Sequence, residues 1–148
     1  MKRKITAVIG MVLCFMMLAS MAWSLDIPGV PNGTVTDGNL VWLQNADCFG
    51  RMTWNDAMSK AASLKSGDCG LRDGSTAGQW RLPTKEELIN RQRNKIGFIN
   101  VQSSWYWSSS TSANGTNSAW IVDMYDGFVF GYGIKAHHDY VWPVRAGQ

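Results

Sequence analysis

Residues 79–88 read Gln79-Trp80-Arg81-Leu82-Pro83-Thr84-Lys85-Glu86-Glu87-Leu88, an unusual density of aromatic, charged and helix-breaking side chains. Their spacing has a local meaning. Thr84 followed by Glu87 is a capping box, in which the hydroxyl accepts an orphan backbone N–H and the carboxylate returns to the N–H of the cap. Pro83 holds Leu82 out of the helical region, so the chain arrives extended and turns helical after Thr84. The stretch predicts a helix over 85–93, with Trp80 and Leu82 as core anchors and Arg81 in a structural ion pair.

Upstream, Thr53-Trp54-Asn55-Asp56 repeats the same logic, a cap with an acid three residues on. Trp54, Ala57 or Met58, Ala61 and Leu64 then recur at helical spacing before Gly67. Cys48 and Cys69 bracket this helix and read as a disulfide tying its two ends, the alternative being a pair of free thiols, one of them a nucleophile. A loop of that length contributes about 3 kcal/mol in the chain-entropy view. Leu40-Val41-Trp42-Leu43-Gln44 fits a strand. Leu25 to Asp37, with two prolines and two glycines and no periodicity, reads as an extended lead-in. The chain starts with Met1-Lys2-Arg3-Lys4 and an apolar run to Trp23, the layout of a secretory signal cleaved after Ser24, or else an uncleaved anchor. The expected organisation is therefore a signal over 1–24, a lead-in over 25–37 and one domain over 38–148, secreted or periplasmic. Loss of Lys2, Arg3 and Lys4 from the 14 basic residues leaves 11 against 11 acidic ones. A neutral domain offers no general attraction to nucleic acid, or to a membrane beyond the signal itself.

Downstream the period changes to two. Trp105 to Ser109 reads as a strand, Ser110 to Asn117 as a small polar loop, and Trp120 to Tyr125 as a second strand. Asp126-Gly127 marks a hairpin turn into Phe128, Phe130 and Tyr132, and Tyr140 to Arg145 closes the chain with Pro143 ending or edging its strand. Helices first and an antiparallel sheet afterwards make an α+β arrangement.

In this order, Leu40-Val41-Trp42, Thr53-Trp54-Asn55-Asp56-Ala57, Trp80 to Leu88, Tyr106-Trp107-Ser108-Ser109, Ala119 to Asp123, Asp126-Gly127 and Tyr140 to Arg145 resemble the Lcl C-terminal domain family. The resemblance covers about Gly38 to Arg145. It implies a C-type-lectin-like fold, two helices packed on a mostly antiparallel twisted sheet, with the chain ends close together. It also implies exported placement and a binding role, with sulfated glycans as the ligand class of the founding adhesin.

Each candidate site has a plainer alternative. Trp42, Trp54, Trp80, Trp105, Trp107, Trp120 and Trp142 lie mostly on apolar faces and are expected in the core. Tyr125, Phe128, Phe130 and Tyr132 around the hairpin are the candidates for an exposed platform, joined by Asn114 and Asn117 of the polar loop and by His137 and His138. His137 and Asp139 share a strand face, too few ligands for a metal, and no cofactor is expected. Trp54-Asn55-Asp56 spells a calcium-lectin motif but sits at a helix start, where Asp56 caps. Arg91, Arg93 and Lys95 form the one dense basic run, suited to sulfate or phosphate or else to a solvated helix end. Gly74-Ser75-Thr76-Ala77-Gly78 misses the nucleophile elbow, and no catalytic constellation emerges. The expected function is a non-catalytic module binding a glycan or other surface ligand, or else a docking domain for a protein of an envelope, pilus or adhesin assembly.

Overall fold

The computed structural model describes residues 31–113 and 115–147 and contains two capped helices and eight strands. The expected signal over 1–24, most of the lead-in, and Asn114 lie outside the described residues. The strands are β1 (Thr34–Asp37), β2 (Leu40–Leu43), β3 (Arg51–Met52), β4 (Trp105–Thr111), β5 (Ser118–Asp123), β6 (Val129–Ile134), β7 (Asp139–Tyr140) and β8 (Val144–Ala146). The helices are α1 (Trp54–Ser63) and α2 (Lys85–Arg93), and the class is α+β.

Both helix starts are built as their sequences require. Thr84 Oγ1 accepts from Glu87 N at 3.2 Å and Glu87 Oε2 accepts from Thr84 N at 2.7 Å, completing the capping box. At α1, Thr53 Oγ1 accepts from Asp56 N and donates to Asp56 Oδ2 at 2.7 Å. Cys48 and Cys69 are joined in a disulfide that closes the segment carrying β3 and α1.

The strands form two sheets rather than one. The three-stranded sheet has the order β1-β2-β8 and the five-stranded sheet the order β3-β7-β4-β5-β6. All pairings are antiparallel except β4 with β7, whose register places Tyr106 beside Tyr140. The single closing strand expected over 140–145 is two strands, β7 and β8, one in each sheet. Pro143, which has no N–H to give a ladder, lies in the crossing between them.

The lead-in also needs correction. Its last residues are β1, with Val35 opposite Trp42 and Asp37 opposite Leu40, so the folded domain begins before Gly38. Four residues with a single apolar side chain show no period, and backbone pairing alone recruits them. The first and last strands thus flank β2 from either side.

Alternation in β4 and β5 feeds two cores. Tyr106 and Val122 join Trp42, Leu43, Trp80, Leu88, Met124 and Trp142 on one face. Trp107 and Ile121 join Ala57, Ala61, Leu82 and Val141 on the other, where the small alanines of α1 let the helix approach closely. Burial on both faces is what makes these strands nearly continuous in apolar side chains.

Candidate functional site

The strand β6 is an edge of its sheet, and its alternate residues divide sharply. Phe128, just before it, is 58% exposed, Phe130 40%, Tyr132 56% and Ile134 48%, while Gly131 and Gly133 between them are buried. The glycines are required by what lies beneath them. A Cβ on Gly131 would sit 2.8 Å from the Trp120 ring, and one on Gly133 would sit 2.9 Å from Ala119 O and 3.1 Å from Trp107. β6 therefore lies flat on the core side while its large side chains face outward. A register shift between β5 and β6 at this point adds a local bulge, a common device at sheet edges and beside sites.

The exposed rings form a connected strip. Trp105, half-buried on β4, has its ring centroid 6.1 Å from Phe128 and 6.2 Å from Phe130, and Phe130 lies 5.7 Å from Tyr132. Tyr125, 74% exposed, stands on the turn before the strip. That turn is fixed by Asp123 Oδ1 accepting from Tyr125 N and Asp126 Oδ1 accepting from Phe128 N, both at 2.8 Å.

At its other end the strip runs into an open cleft of about 550 Å³, lined by Thr53, Asn55, Thr116, Asn117, Ile134, Lys135 and Ala136. Three distant segments meet here. Trp54 N donates to Lys135 O at 3.0 Å, and Lys135 N donates to Asn117 O at 2.9 Å, which ties the start of α1 to both loops. The Lys135 ammonium donates to Thr116 O at 2.8 Å and lies 4.1 Å over the Trp54 ring. The cleft wall thus presents amides and hydroxyls beside the apolar Ile134 and Ala136.

The two histidines follow the cleft-lining Ala136 directly, and His137 N donates to Ile134 O at 2.8 Å. His137 and His138 are exposed, whereas the Asp139 that follows them is buried. Burial pushes the Asp139 carboxyl above its usual range, against the opposing pull of Arg51, whose Nη2 is 4.0 Å away, and of the two histidines. Arg51 Nε also donates to His138 O at 2.9 Å, so this corner is held by the arginine.

The basic run does not form a surface patch. Arg91 is 3% exposed, stacked between Trp42 and Phe98 with its Nη2 on Asp37. Lys95 donates to Met124 O, and of the three only Arg93 is fully at the surface. Helical spacing suggests a shared exposed face, but Trp42 of β2 and Phe98 of the loop after α2 close around Arg91.

Ser75, within the Gly74-Ser75-Thr76 segment, accepts from Trp80 Nε1 at 2.9 Å and donates to Asp73 Oδ1 at 2.7 Å. Asp73 Oδ2 receives Arg145 Nη2 at 3.0 Å, and Arg145 lies over the Trp80 ring. This closed network is structural. So is the pair of Arg81 with Glu87, both bonds 2.8 Å. Burial raises the Glu87 carboxyl, but Arg81 and the Thr84 N–H outweigh it and hold it below the usual range.

Ile134, Lys135 and Ala136 fall within the hairpin and loop from Tyr125 to Asp139, and Thr116 and Asn117 within the polar loop from Ser110, where the sequence places a site; Thr53 and Asn55 are the lining residues it did not reveal. Thr53 and Asn55 showed only as parts of a helix start, and no pattern relates them to residues eighty positions away. Among the described residues, no helix is long and apolar enough to cross a membrane. The family described as the Lcl C-terminal domain is matched over residues 33–145, from the residue before β1 into β8. No curated protein matches the chain.

Proposed function

The chain belongs to the Lcl C-terminal domain family, and from that premise we propose that it is an exported, non-catalytic binding module that holds a glycan or another cell-surface ligand. The observation that carries the reading is the strip Phe128, Trp105, Phe130 and Tyr132 running into a cleft lined by amides and hydroxyls. Rings offer flat apolar faces to the C–H side of a sugar, and a few placed polar groups fix its orientation. A rigid sheet carries both, with the variable chemistry on its edge and loops.

Three further features support the reading. The Cys48–Cys69 disulfide suits an oxidising compartment and removes both cysteines as nucleophiles. Ser75 is committed to Trp80 and Asp73. The first and last strands flanking β2 fit the C-type-lectin-like fold that the family suggests.

A glycan array probed with the purified chain tests the proposal. The expected result is a sugar signal lost in Phe130→Ala and Tyr132→Ala; a signal that survives both replacements refutes the site. The exposed edge of β6 favours a second reading, docking of a protein, and specific capture of one envelope protein with no sugar signal would establish that reading instead.

A further inference from the structure

We infer that Lys135 is the residue that selects the ligand, by holding one anionic substituent, a carboxylate or a sulfate ester, on the sugar unit that enters the cleft. The inference rests on the glycan reading above and adds which group on the ligand is read, and by which side chain.

Lys135 is the one charged side chain that lines the cleft among the described residues. Its ammonium has three donors and uses one on Thr116 O at 2.8 Å, and its other neighbour is the Trp54 ring at 4.1 Å. Neither neighbour is an anion. No ion pair among the described residues includes Lys135, so its positive charge stands in the cleft without a counter-charge. The carboxylate next to Asn55 in the chain, Asp56, accepts from Thr53 Oγ1 at 2.7 Å and lines a separate groove with Ser59 and Lys60.

The cation is also built in place. Lys135 N donates to Asn117 O and Lys135 O accepts from Trp54 N, so the backbone is held on both sides while the ring and Thr116 O hold the ammonium. Little freedom remains to be lost when an anion arrives, and the two remaining donors can make charge-assisted hydrogen bonds. Asn55 and Asn117 line the same cleft, and their side-chain amides make no hydrogen bond among the described residues. They can donate to the same anion or bond the hydroxyls around it. Ile134 belongs to both the strip and the cleft, which places the charged unit beside the rings.

The remaining cations near these elements serve elsewhere. Arg51 holds His138 O and faces Asp139, Arg91 is buried with Asp37, Lys95 donates to Met124 O, and Lys85 lies 4.2 Å over the Trp120 ring. Arg93 is exposed at the end of α2, and His137 and His138 are exposed after Ala136, but none of the three lines the cleft. The basic run from Arg91 to Lys95 is therefore not where the anion is read.

Calorimetry with the disulfide-intact chain at neutral pH tests this with two matched pairs of hexasaccharides. One is galacturonate and its methyl ester, the other a carrageenan and its desulfated form. The expected result is that the charged member of at least one pair binds about tenfold tighter than the neutral one, the scale of one hydrogen bond to a charged group. Whichever pair shows the gain names the anion. The gain should shrink near 1 M salt, where charge is screened within about 3 Å. Lys135→Gln should erase it and leave binding of the neutral member unchanged, whereas Lys135→Arg should keep most of it and Arg93→Ala all of it. Equal affinity within both pairs, or a gain that survives Lys135→Gln or disappears in Arg93→Ala, would overturn the role of Lys135 and leave the glycan reading in place. Loss of neutral binding in both Lys135 variants would make its role structural and overturn the selective one. Binding of none of the four probes to the folded chain would overturn the glycan reading and this inference with it.

Discussion

Two ten-residue stretches look equally rich in chemistry, Gln79 to Leu88 and Tyr125 to Ile134, yet the fold treats them in opposite ways. In the first, almost every group has a partner inside the domain. Trp80 belongs to one core and Leu82 to the other, Arg81 pairs with Glu87, and Pro83 O accepts from Ser109 N at 2.7 Å. In the second, Tyr125, Phe128, Phe130, Tyr132 and Ile134 stay exposed on a strand that is tightly packed beneath. Density of aromatic or charged side chains therefore does not mark a site. What marks it is large apolar side chains left exposed on a backbone that is itself closely packed beneath.

The largest way to test that contrast is Trp80→Ala. It empties a core position and strands the Ser75, Asp73 and Arg145 network, and we expect a loss of about 3–5 kcal/mol in urea unfolding. Gly133→Ala probes the packed underside of the second stretch. Its Cβ would press on Ala119 O and the Trp107 ring, so a loss of about 1–3 kcal/mol is expected. A neutral result there would show that β6 is looser than its exposed strip requires.

Next in size, Glu87→Gln breaks the charged half of the capping box and the Arg81 pair together, for about 1–2 kcal/mol. The Glu87 carboxyl is held below its usual range in the folded state, so its contribution is complete above the ordinary carboxylate range and fades as pH falls through the lowered value. Wild type and variant should therefore converge in thermal unfolding scans at acid pH.

Asp139, beyond the second stretch, is shifted the other way, so its ionised form costs stability at neutral pH and protonation relieves that cost as pH falls. Asp139→Asn should raise the unfolding midpoint at neutral pH by the equivalent of less than about 1 kcal/mol, with no gain at acid pH.

The smallest effect belongs to the strip itself. Phe130→Ala and Tyr132→Ala should change stability by no more than about 0.5 kcal/mol while removing ligand binding. Loss of binding with such small loss of stability is the signature that separates this stretch from the first.

How much of this was legible from the residues depended on distance along the chain. Both helices were, because a cap and its acid lie three residues apart and the box closes without help from elsewhere. The disulfide and the exposed hairpin aromatics were also within reach, the latter because Asp126-Gly127 places them on a returning strand. The strand over 140–145 was legible as extended, but its division into β7 and β8 was not, since nothing local says which sheet each half joins. Arg91 was misjudged for the same reason. A charge on a helix end reads as surface until Asp37 and Trp42, from β1 and β2, and Phe98, from the loop that follows the helix, close around it.

By itself, then, the sequence determined the capped helices, the alternating strands, the α+β class and the family, because hydrogen bonds and periodicities a few residues long decide those. Only the tertiary structure decided that β6 lies at an edge, that its glycines press on Trp120 and Trp107, and that Thr53, Asn55, Thr116, Asn117 and Lys135 gather into one cleft. Those are outcomes of pairing between segments far apart in the chain, and no short-range pattern encodes which segments will meet.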